Sequence, residues 1–596
     1  MSINDRIAAL RRELQRHKLA AYLIPSSDPH QSEYVASHWK SREWISGFTG
    51  STGLVIVTPD HAGLWTDSRY FIQAEQELAT SEVVLHKLKV PHTPEYLDWL
   101  RDTLPEGSTI GLDGWLFSVA QIRALHRTLH QQNIEVHSDL DLIDTVWADR
   151  PALPRAEVFE LPLTVTGQSR ADKLAVVSRK VEEQNCDYHL VADLADLCWI
   201  LNLRSSDIDY NPVSIAYLLI GPQQHQLFID SQKISPELRT QLRADGIHLQ
   251  PYDGLKDFLT QLPTTARVLL DPRGTSIALY ATLEEEQVVR GEAPSILLRA
   301  IKNETEVQHI REAMRKDGVA LTRLYRWLEG RLAEGPISEV AVAQQLDAFR
   351  RAQGDYYGES FSAIVGYGAN GAIVHYRPLP EQCADLQPEG ILLLDSGGQY
   401  LQGTTDITRT TALGRATAEQ KRHFTLVLKG HIGLARVHFP HGTRGNQLEV
   451  LARQALWEQG LNYGHGTGHG VGFFLNVHEG PQAFGSGATG KAATVLEPGM
   501  FTSNEPGYYQ TGDYGIRIEN LVLCVEAAQT DYGRFLKFET LTLFPIDQQL
   551  IEWELLTSVE KQWLEAYHRE VYAQLAPRLE AEEREWLRQQ CGLESV

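Results

Sequence analysis

In the last third of the chain, acidic residues sit inside or at the ends of its most apolar strand-like runs. Asp395 closes the apolar part of ILLLDSGGQY, and Asp406 comes eleven residues on in GTTDITRTT. That separation suits two strands of one hairpin, which would set the two carboxylates side by side. Glu505 lies in FTSNEPGYY, and Glu519 lies in YGIRIENLVL, where Ile516, Ile518 and Leu521 read as a β-like stretch. His465, His469 and His478 fall between them in GHGTGHGVGFFLNVHEGP. Converging carboxylates repel, and some must take up protons, unless cations offset them. Four carboxylates and one imidazole in β-rich surroundings match hard-to-borderline divalent ions such as Mn²⁺. Two such ions bring +4 against −4, before a bridging hydroxide is added. The set makes sense chiefly as a two-metal centre.

Each residue alone says little. A lone Asp ending a strand is usually a turn or cap residue, and a lone His in a Gly-rich loop is more often a satisfied polar group than a ligand. Other motifs can be weighed and set aside. Gly366 to Gly371 satisfies G-x-G-x-x-G, and so does Gly485 to Gly490. A dinucleotide fingerprint needs a helix next, because the pyrophosphate sits on its N-terminus. Gly371 leads instead into AIVHYRP, β-branched and closed by Pro378, so the first motif reads as strand–turn–strand. The second runs into KAATVLEPG with no strand before it and reads as a turn. There is no Walker A loop, no G-x-S-x-G elbow and no H-E-x-x-H helix.

The 596 residues suggest roughly three to five domains. Lys+Arg number 55 and Asp+Glu 77, so 55 − 77 = −22. That balance argues against nucleic acid as the main partner, whose phosphates need basic residues. No apolar stretch approaches the ~20 residues needed to span a bilayer. The N-terminal MSINDRIAALRRELQRHKLAAYLIP has no apolar core and no small-residue cleavage site of a signal peptide; Ile7, Leu10 and Leu14 predict an amphipathic helix instead. The five cysteines, Cys186, Cys198, Cys383, Cys524 and Cys591, are scattered, with no C-x-x-C pair. Neither a disulfide framework nor a thiolate zinc site is expected, and a cytoplasmic protein is the consistent reading.

Two units of similar order come first. Residues 1–155 run from AYLIP through SREWISGFTGS to GLVIVT and AGLWTDSRY, up to a boundary marked by Pro151 and Pro154. Residues 156–302 repeat the order with YHLVADLADLCWILNLRSSD, IAYLLIG and QLFID. Both read as α/β; tandem duplication and two unrelated α/β domains both remain open. A third unit, 303–540, opens on a helix with Val307, Ile310, Met314, Val319, Leu321, Leu324, Trp327 and Leu328 at helical spacing, then turns to Gly-rich β segments. Residues 541–596 are helical again. Thr557 and Glu560 predict a capping box, and Val559, Trp563, Tyr567, Val571 and Leu575 repeat every four residues as a stripe for packing on the third unit or another subunit.

At GANGAIVHYRP, LLDSGGQYLQGTTDITRT, GHGTGHGVGFFLNVHEGP, EPGYY and GIRIEN the sequence resembles the pita-bread metallopeptidases, in the three-domain Xaa-Pro aminopeptidase (aminopeptidase P) branch. SGFTGSTG and WTDSRY, LNLRSSDIDYNP and the helical C-terminus extend the resemblance over essentially the whole chain. It implies two creatinase-like α/β domains, a pita-bread catalytic domain and a helical extension, an α/β and α+β multidomain chain. By resemblance, Asp395 and Asp406 would chelate one ion, with Asp406 bridging. His469 and Glu505 would complete the other ion's shell, and Glu519 would bridge. His375, His465 and His478 would be non-ligand histidines around the substrate. Arg517 would orient the carboxylates that hold the metal. No ligand position departs from the pattern, although the family includes metal-free relatives that keep the fold.

The implied reaction releases the N-terminal residue from peptides with proline second, by attack of a hydroxide bridging two metal ions. Glu505 would take the water's proton and pass it to the leaving nitrogen, and His375 and His478 would stabilise the oxyanion or the approaching carbonyl. Mn²⁺ is the expected ion, with Zn²⁺ or Co²⁺ as alternatives. The resemblance also favours a homodimer. A prolidase acting only on Xaa-Pro dipeptides would share the ligands, and a non-enzymatic peptide- or histone-binding relative would share the fold.

Overall fold

The computed structural model describes residues 1–89, 94–487 and 490–593. The chain divides into two compact units. The first holds Met1–Leu163 and Gln168–Ile296; the second holds Thr164–Gly167 and Leu297–Val596.

The first unit contains two six-stranded sheets with one plan. The first sheet runs, edge to edge, Val84–Lys87, Ala62–Thr66, Leu54–Val57, Ala21–Pro25, Thr109–Leu112 and Glu135–His137. The second runs Ile247–Gln250, His225–Phe228, Tyr217–Ile220, Tyr188–Val191, Val268–Leu270 and Val288–Arg290. Corresponding neighbours pair in the same sense: parallel, antiparallel, antiparallel, parallel, parallel, reading along each sheet. The repeated order seen in the sequence is therefore a repeated topology. The opening helix, Ile3–His17, is capped by Ser2 with a capping box to Asp5, and it buries Ile7, Leu10 and Leu14 as its periodicity predicts.

In the second unit a three-stranded sheet (Ile364–Tyr367, Ile391–Ser396, Ile407–Ala412) and a six-stranded sheet carry the acidic segments. The larger sheet runs His438–Pro440, Gly533–Thr540, Asn520–Thr530, Phe501–Asn504, Gly468–Gly470 and Glu479–Phe484. Helices Glu304–Glu334, Glu339–Arg351, Ala418–Ala435 and Gly445–Trp457 accompany them. The first is a single 31-residue helix, started by an Asn303–Glu306 capping box. Gly318 lets the C-terminal segment lie against it, since a Cβ there would stand 2.4 Å from the Leu543 carbonyl oxygen and 2.9 Å from a Leu575 methyl carbon.

The C-terminal helix Ser558–Leu575 starts at Thr557 with the expected Glu560 capping box. Its buried face is Leu564, Tyr567, His568, Val571 and Leu575, and its apolar members share one core with Ile391, Phe501 and Ile516 of the strands and with Ile310 and Met314. Val559, the first residue of the predicted stripe, is 45% exposed. A repeat of four drifts about 40° per step on a helix of 3.6 residues per turn, so a five-member stripe cannot stay on one face.

The first Gly-rich motif also departs from its reading. Ile364–Tyr367 is a strand, but Gly368–Ala372 is a short 3₁₀ helix and AIVHYRP continues without forming a strand. The glycines serve close packing. A Cβ at Gly515 would sit 1.7 Å from the Gly371 carbonyl oxygen, and one at Gly366 would sit 2.7 Å from the Gly371 Cα. The second motif, at 485–490, falls partly outside the described residues.

Candidate metal centre

Asp395 occupies a fully buried strand whose apolar run pairs antiparallel with Ile407–Ala412. The two strands are partners as expected, but the carboxylates are not side by side. Asp395 stands opposite Thr408, and Asp406 lies one residue before its strand. A separate short ladder, Gly398–Tyr400 with Gly403–Thr404, takes up the intervening chain. Asp406 is thus offset by two residues from Thr408, on the side that extended backbone shares with it.

Glu519 does not continue a strand. Ile518 and Glu519 form a two-residue break between Tyr514–Arg517 and Asn520–Thr530, where the Glu519 N–H donates to the Thr408 carbonyl at 3.1 Å. Glu505 comes directly after the buried strand Phe501–Asn504, and its N–H donates to the Thr467 carbonyl at 2.8 Å. His469 lies on Gly468–Gly470, with its N–H on Ser503 Oγ at 2.9 Å. The same Ser503 hydroxyl donates to Glu505 Oε1 at 3.3 Å.

These segments bring five predicted donors and the predicted arginine together. Ligand atoms of Asp406, His469 and Glu519 all lie within 4.8 Å of one another. His469 Nε2 is 3.5 Å from Asp406 Oδ2 and 3.6 Å from Glu505 Oε1. Arg517 donates to Asp395 Oδ2 at 2.5 Å, and through Nε to Thr408 Oγ1 at 3.2 Å. Thr408 Oγ1 in turn donates to Glu519 Oε2 at 2.8 Å. The His478 ring lies edge-on to His469, centroids 4.4 Å apart. His465 Nε2 is 2.8 Å from Tyr509 Oη, which also receives Arg517 Nη1 at 2.6 Å. His375 is next to Val374, whose carbonyl accepts from Arg517 at 3.4 Å.

The electrostatics mark a site built for cations. Burial, then the charges of Asp395 and Glu505, push the Asp406 carboxyl well above the usual range. Glu519 is pushed well up by burial and then by Asp406, Glu505 and Asp395. Glu505 rises to about 7, burial leading, with Asp395 raising it further and Arg517 and His478 opposing. Among the described residues the guanidinium of Arg517 touches only Asp395 of the four carboxylates, and Asp395 Oδ1 is buried with no hydrogen-bond partner. An acidic donor set with an orphaned oxygen and one imidazole fits oxygen-preferring divalent ions.

Several residues of the site were not singled out from the sequence. Tyr509 joins His465 to Arg517, and Thr408 joins Arg517 to Glu519. Arg453 fixes the histidine loop by donating to the Tyr463 and His465 carbonyls at 2.8 and 2.6 Å. Buried Glu339 receives Tyr376 Oη at 2.6 Å and Asn370 Nδ2 at 3.0 Å, which anchors the chain on either side of His375. Tyr509 and Thr408 stand inside the strings EPGYY and DITRT; Arg453 and Glu339 lie on helices far from any motif.

Residues 308–526 match metallopeptidase family M24, and residues 534–593 match the C-terminal region of that peptidase family. Residues 6–146 and 149–306 each match a creatinase/prolidase N-terminal domain. A protein of Laccaria bicolor named probable Xaa-Pro aminopeptidase P is 40% identical, over 99% of this chain and 94% of its own length. Aminopeptidase P2 of Arabidopsis thaliana is 38% identical, over 98% of this chain and 88% of its own length. The crystal structure of X-prolyl aminopeptidase from Caenorhabditis elegans, described as a cytosolic enzyme with a di-nuclear active site, is 34% identical and superposes with a TM-score of 0.95, covering 100% of both chains. The chain belongs to metallopeptidase family M24. Its similarity at this level runs end to end with relatives named for aminopeptidase P, through both N-terminal domains and the C-terminal region.

Proposed function

We propose that the chain is a dinuclear metallo-aminopeptidase that releases the N-terminal residue from peptides with proline in second position. The observation that carries this reading is the convergence of Asp395, Asp406, His469, Glu505 and Glu519 beside Arg517, in a chain similar throughout its length to named aminopeptidases.

Asp395 and Asp406 would hold one divalent ion, His469 and Glu505 would complete the shell of the other, and Asp406 and Glu519 would be shared. When bound, the ions would lower the pKa of a water and polarise the scissile carbonyl. The chain's own groups supply the rest. Glu505 accepts a proton and returns it to the leaving nitrogen, which in a prolyl amide has no N–H and must be protonated before departure. His478, against His469, and His375, on its anchored segment, donate to the carbonyl oxygen as negative charge develops there. Arg517 stays charged throughout and holds Asp395 in place. His465, joined to Tyr509, borders the substrate.

The oxygen-rich donor set favours Mn²⁺ among divalent ions, with Zn²⁺ and Co²⁺ as alternatives. The five cysteines are free, and among the described residues no helix is long and apolar enough to cross a membrane. With the described cytosolic relative, this supports a cytoplasmic enzyme; the assembly we propose is a homodimer. Measuring kcat/KM for Arg-Pro-Pro, Arg-Ala-Pro, acetyl-Arg-Pro-Pro and the dipeptide Arg-Pro tests the function. Only the first should be turned over efficiently. Comparable rates for Arg-Pro-Pro and Arg-Ala-Pro would sink the proline preference, and hydrolysis of Arg-Pro alone would make the chain a prolidase.

A further inference from the structure

Arg409 is a fully buried cation (2% exposed) that meets no carboxylate among the described residues. Its five N–H groups go instead to oxygens of four segments. Nη1 donates to the Thr408 carbonyl at 2.9 Å and the Glu519 carbonyl at 2.7 Å. Nη2 donates to Asn520 Oδ1 at 2.8 Å, the Phe544 carbonyl at 2.7 Å and Tyr567 Oη at 2.8 Å, and Nε donates to the Pro545 carbonyl at 2.9 Å. Burying an arginine without a counterion is costly unless its fork is fully hydrogen-bonded. Here the fork ties the backbone of Glu519 and of the residue two after Asp406 to the C-terminal segment.

The network continues on the other side of Asn520. Asn520 Nδ2 donates to His431 Nε2 at 3.1 Å, and His431 Nδ1 donates to the Asn504 carbonyl at 3.1 Å, one residue before Glu505. Two aromatic rings one turn apart on the C-terminal helix close this frame from behind. Trp563 and Tyr567 stack on each other at 5.4 Å and 9°. Trp563 meets the His431 ring edge-on at 6.0 Å, and Tyr567 reaches Arg409 and also donates to the Thr542 carbonyl at 3.0 Å. The Tyr567 hydroxyl accepts from Arg409 and lies within hydrogen-bond reach of the Thr542 and Phe544 carbonyls, so an apolar side chain there would leave the buried fork short of an acceptor.

We propose that Arg409, held by Tyr567 of the C-terminal helix, is a positioning residue for the metal-binding carboxylate Glu519, so that the C-terminal extension is a working part of the metal centre. The inference rests on the metal-centre reading of the proposed function. Among the described residues the Glu519 backbone has two ties, its N–H on Thr408 and its carbonyl on Arg409, and it sits in a break between strands where no ladder holds it. Loosening Arg409 frees one of the two. Outer residues that orient a ligand typically account for 10–100-fold in metal affinity.

The test uses the full-length protein with Tyr567→Phe and Arg409→Lys. Mn²⁺ dissociation constants are read by competition with a chromophoric chelator, alongside melting temperatures by calorimetry. Tyr567→Phe, which removes one hydroxyl, should fold and weaken Mn²⁺ binding about tenfold at a temperature well below its melting point. Arg409→Lys should weaken it further despite keeping the charge, because a single ammonium cannot span the six oxygens. Should Arg409→Lys fail to fold, Tyr567→Phe decides alone. A lowered melting temperature with unchanged Mn²⁺ affinity in a folded Tyr567→Phe would show a merely structural role and overturn the proposal. A wild-type protein that binds no divalent metal would instead overturn the metal centre itself, and this inference with it.

Discussion

Replacing Asp406 by Asn should change stability in opposite directions with and without metal. Asp406 is 4% exposed and Glu519 1%, and their ligand atoms lie within 4.8 Å of each other. At an effective dielectric of about 20, two full charges at that distance repel by roughly 3 kcal/mol. Burial and mutual repulsion raise the Asp406 and Glu519 carboxyls, so the metal-free protein relieves much of this by taking up protons there more readily than free carboxylates do. What remains at neutral pH is on the order of 1 kcal/mol of strain, and the amide removes one of the charges that cause it. With chelator present, Asp406→Asn should therefore melt a few degrees higher than wild type. With Mn²⁺ present the order reverses, because the wild-type protein alone gains the full binding free energy. Activity should be abolished, since the variant lacks one of the carboxylates we propose to hold the ions. Differential scanning calorimetry of both proteins, each with chelator and with saturating Mn²⁺, reads all four values. A variant that melts below wild type in chelator, by the same margin as in Mn²⁺, would refute the idea that these carboxylates oppose one another.

Three further outcomes are expected. His375→Ala should retain two metals by elemental analysis and lose kcat if, as we propose, the side chain acts on the developing oxyanion; loss of metal would place it among the ligands instead. Gly318→Ala should destabilise the second unit by about 1–3 kcal/mol, as a methyl group must displace the Leu543 carbonyl and Leu575, and an unchanged denaturant midpoint would contradict that packing. For the metal-free protein, the raised Glu505 carboxyl means the folded state holds more protons than the unfolded one between about 4.5 and about 7. The corresponding stability is present below that window and lost as pH rises through it, so chelator-treated protein should show a higher urea midpoint at pH 5 than at pH 7.5, and the reverse order would contradict the raised carboxyl.

Asp395 and Glu519 are legible in the sequence because each stands beside a run whose burial is itself legible. Asp395 ends four consecutive apolar residues, and Glu519 comes just after the Ile516–Ile518 alternation. The local backbone is less so. The alternation puts Glu519 within a strand, but Ile518 and Glu519 leave the ladder, because the Glu519 N–H turns to Thr408 in the other sheet. AIVHYRP has strand-like residues yet forms none. Gly371 packs against Gly515, and Glu339 takes Asn370 and Tyr376, so tertiary bonds outweigh propensity there. The supporting residues are invisible for a simpler reason. Glu339, Arg350 and Arg453 lie on amphipathic helices, where a charged residue normally reads as a solvated face, and only the fold turns these inward.

Those inward charges obey a common logic. A centre that collects four carboxylates tends to spread apart when it is empty, so its segments must be held by groups that do not titrate with it. Arg517 holds Asp395. Arg350, paired with Asp317 at 2.8 Å, donates to Ser396 Oγ and the Gly397 carbonyl just beyond it. Arg409 holds the Glu519 carbonyl, and Arg299 and Lys302 meet Glu479 next to His478. Four of these five cations are arginines, which keep their charge at any pH at which the protein folds and offer several donors in a fixed plane. The carboxylates can therefore exchange protons for metal ions while the backbone that carries them stays where it is.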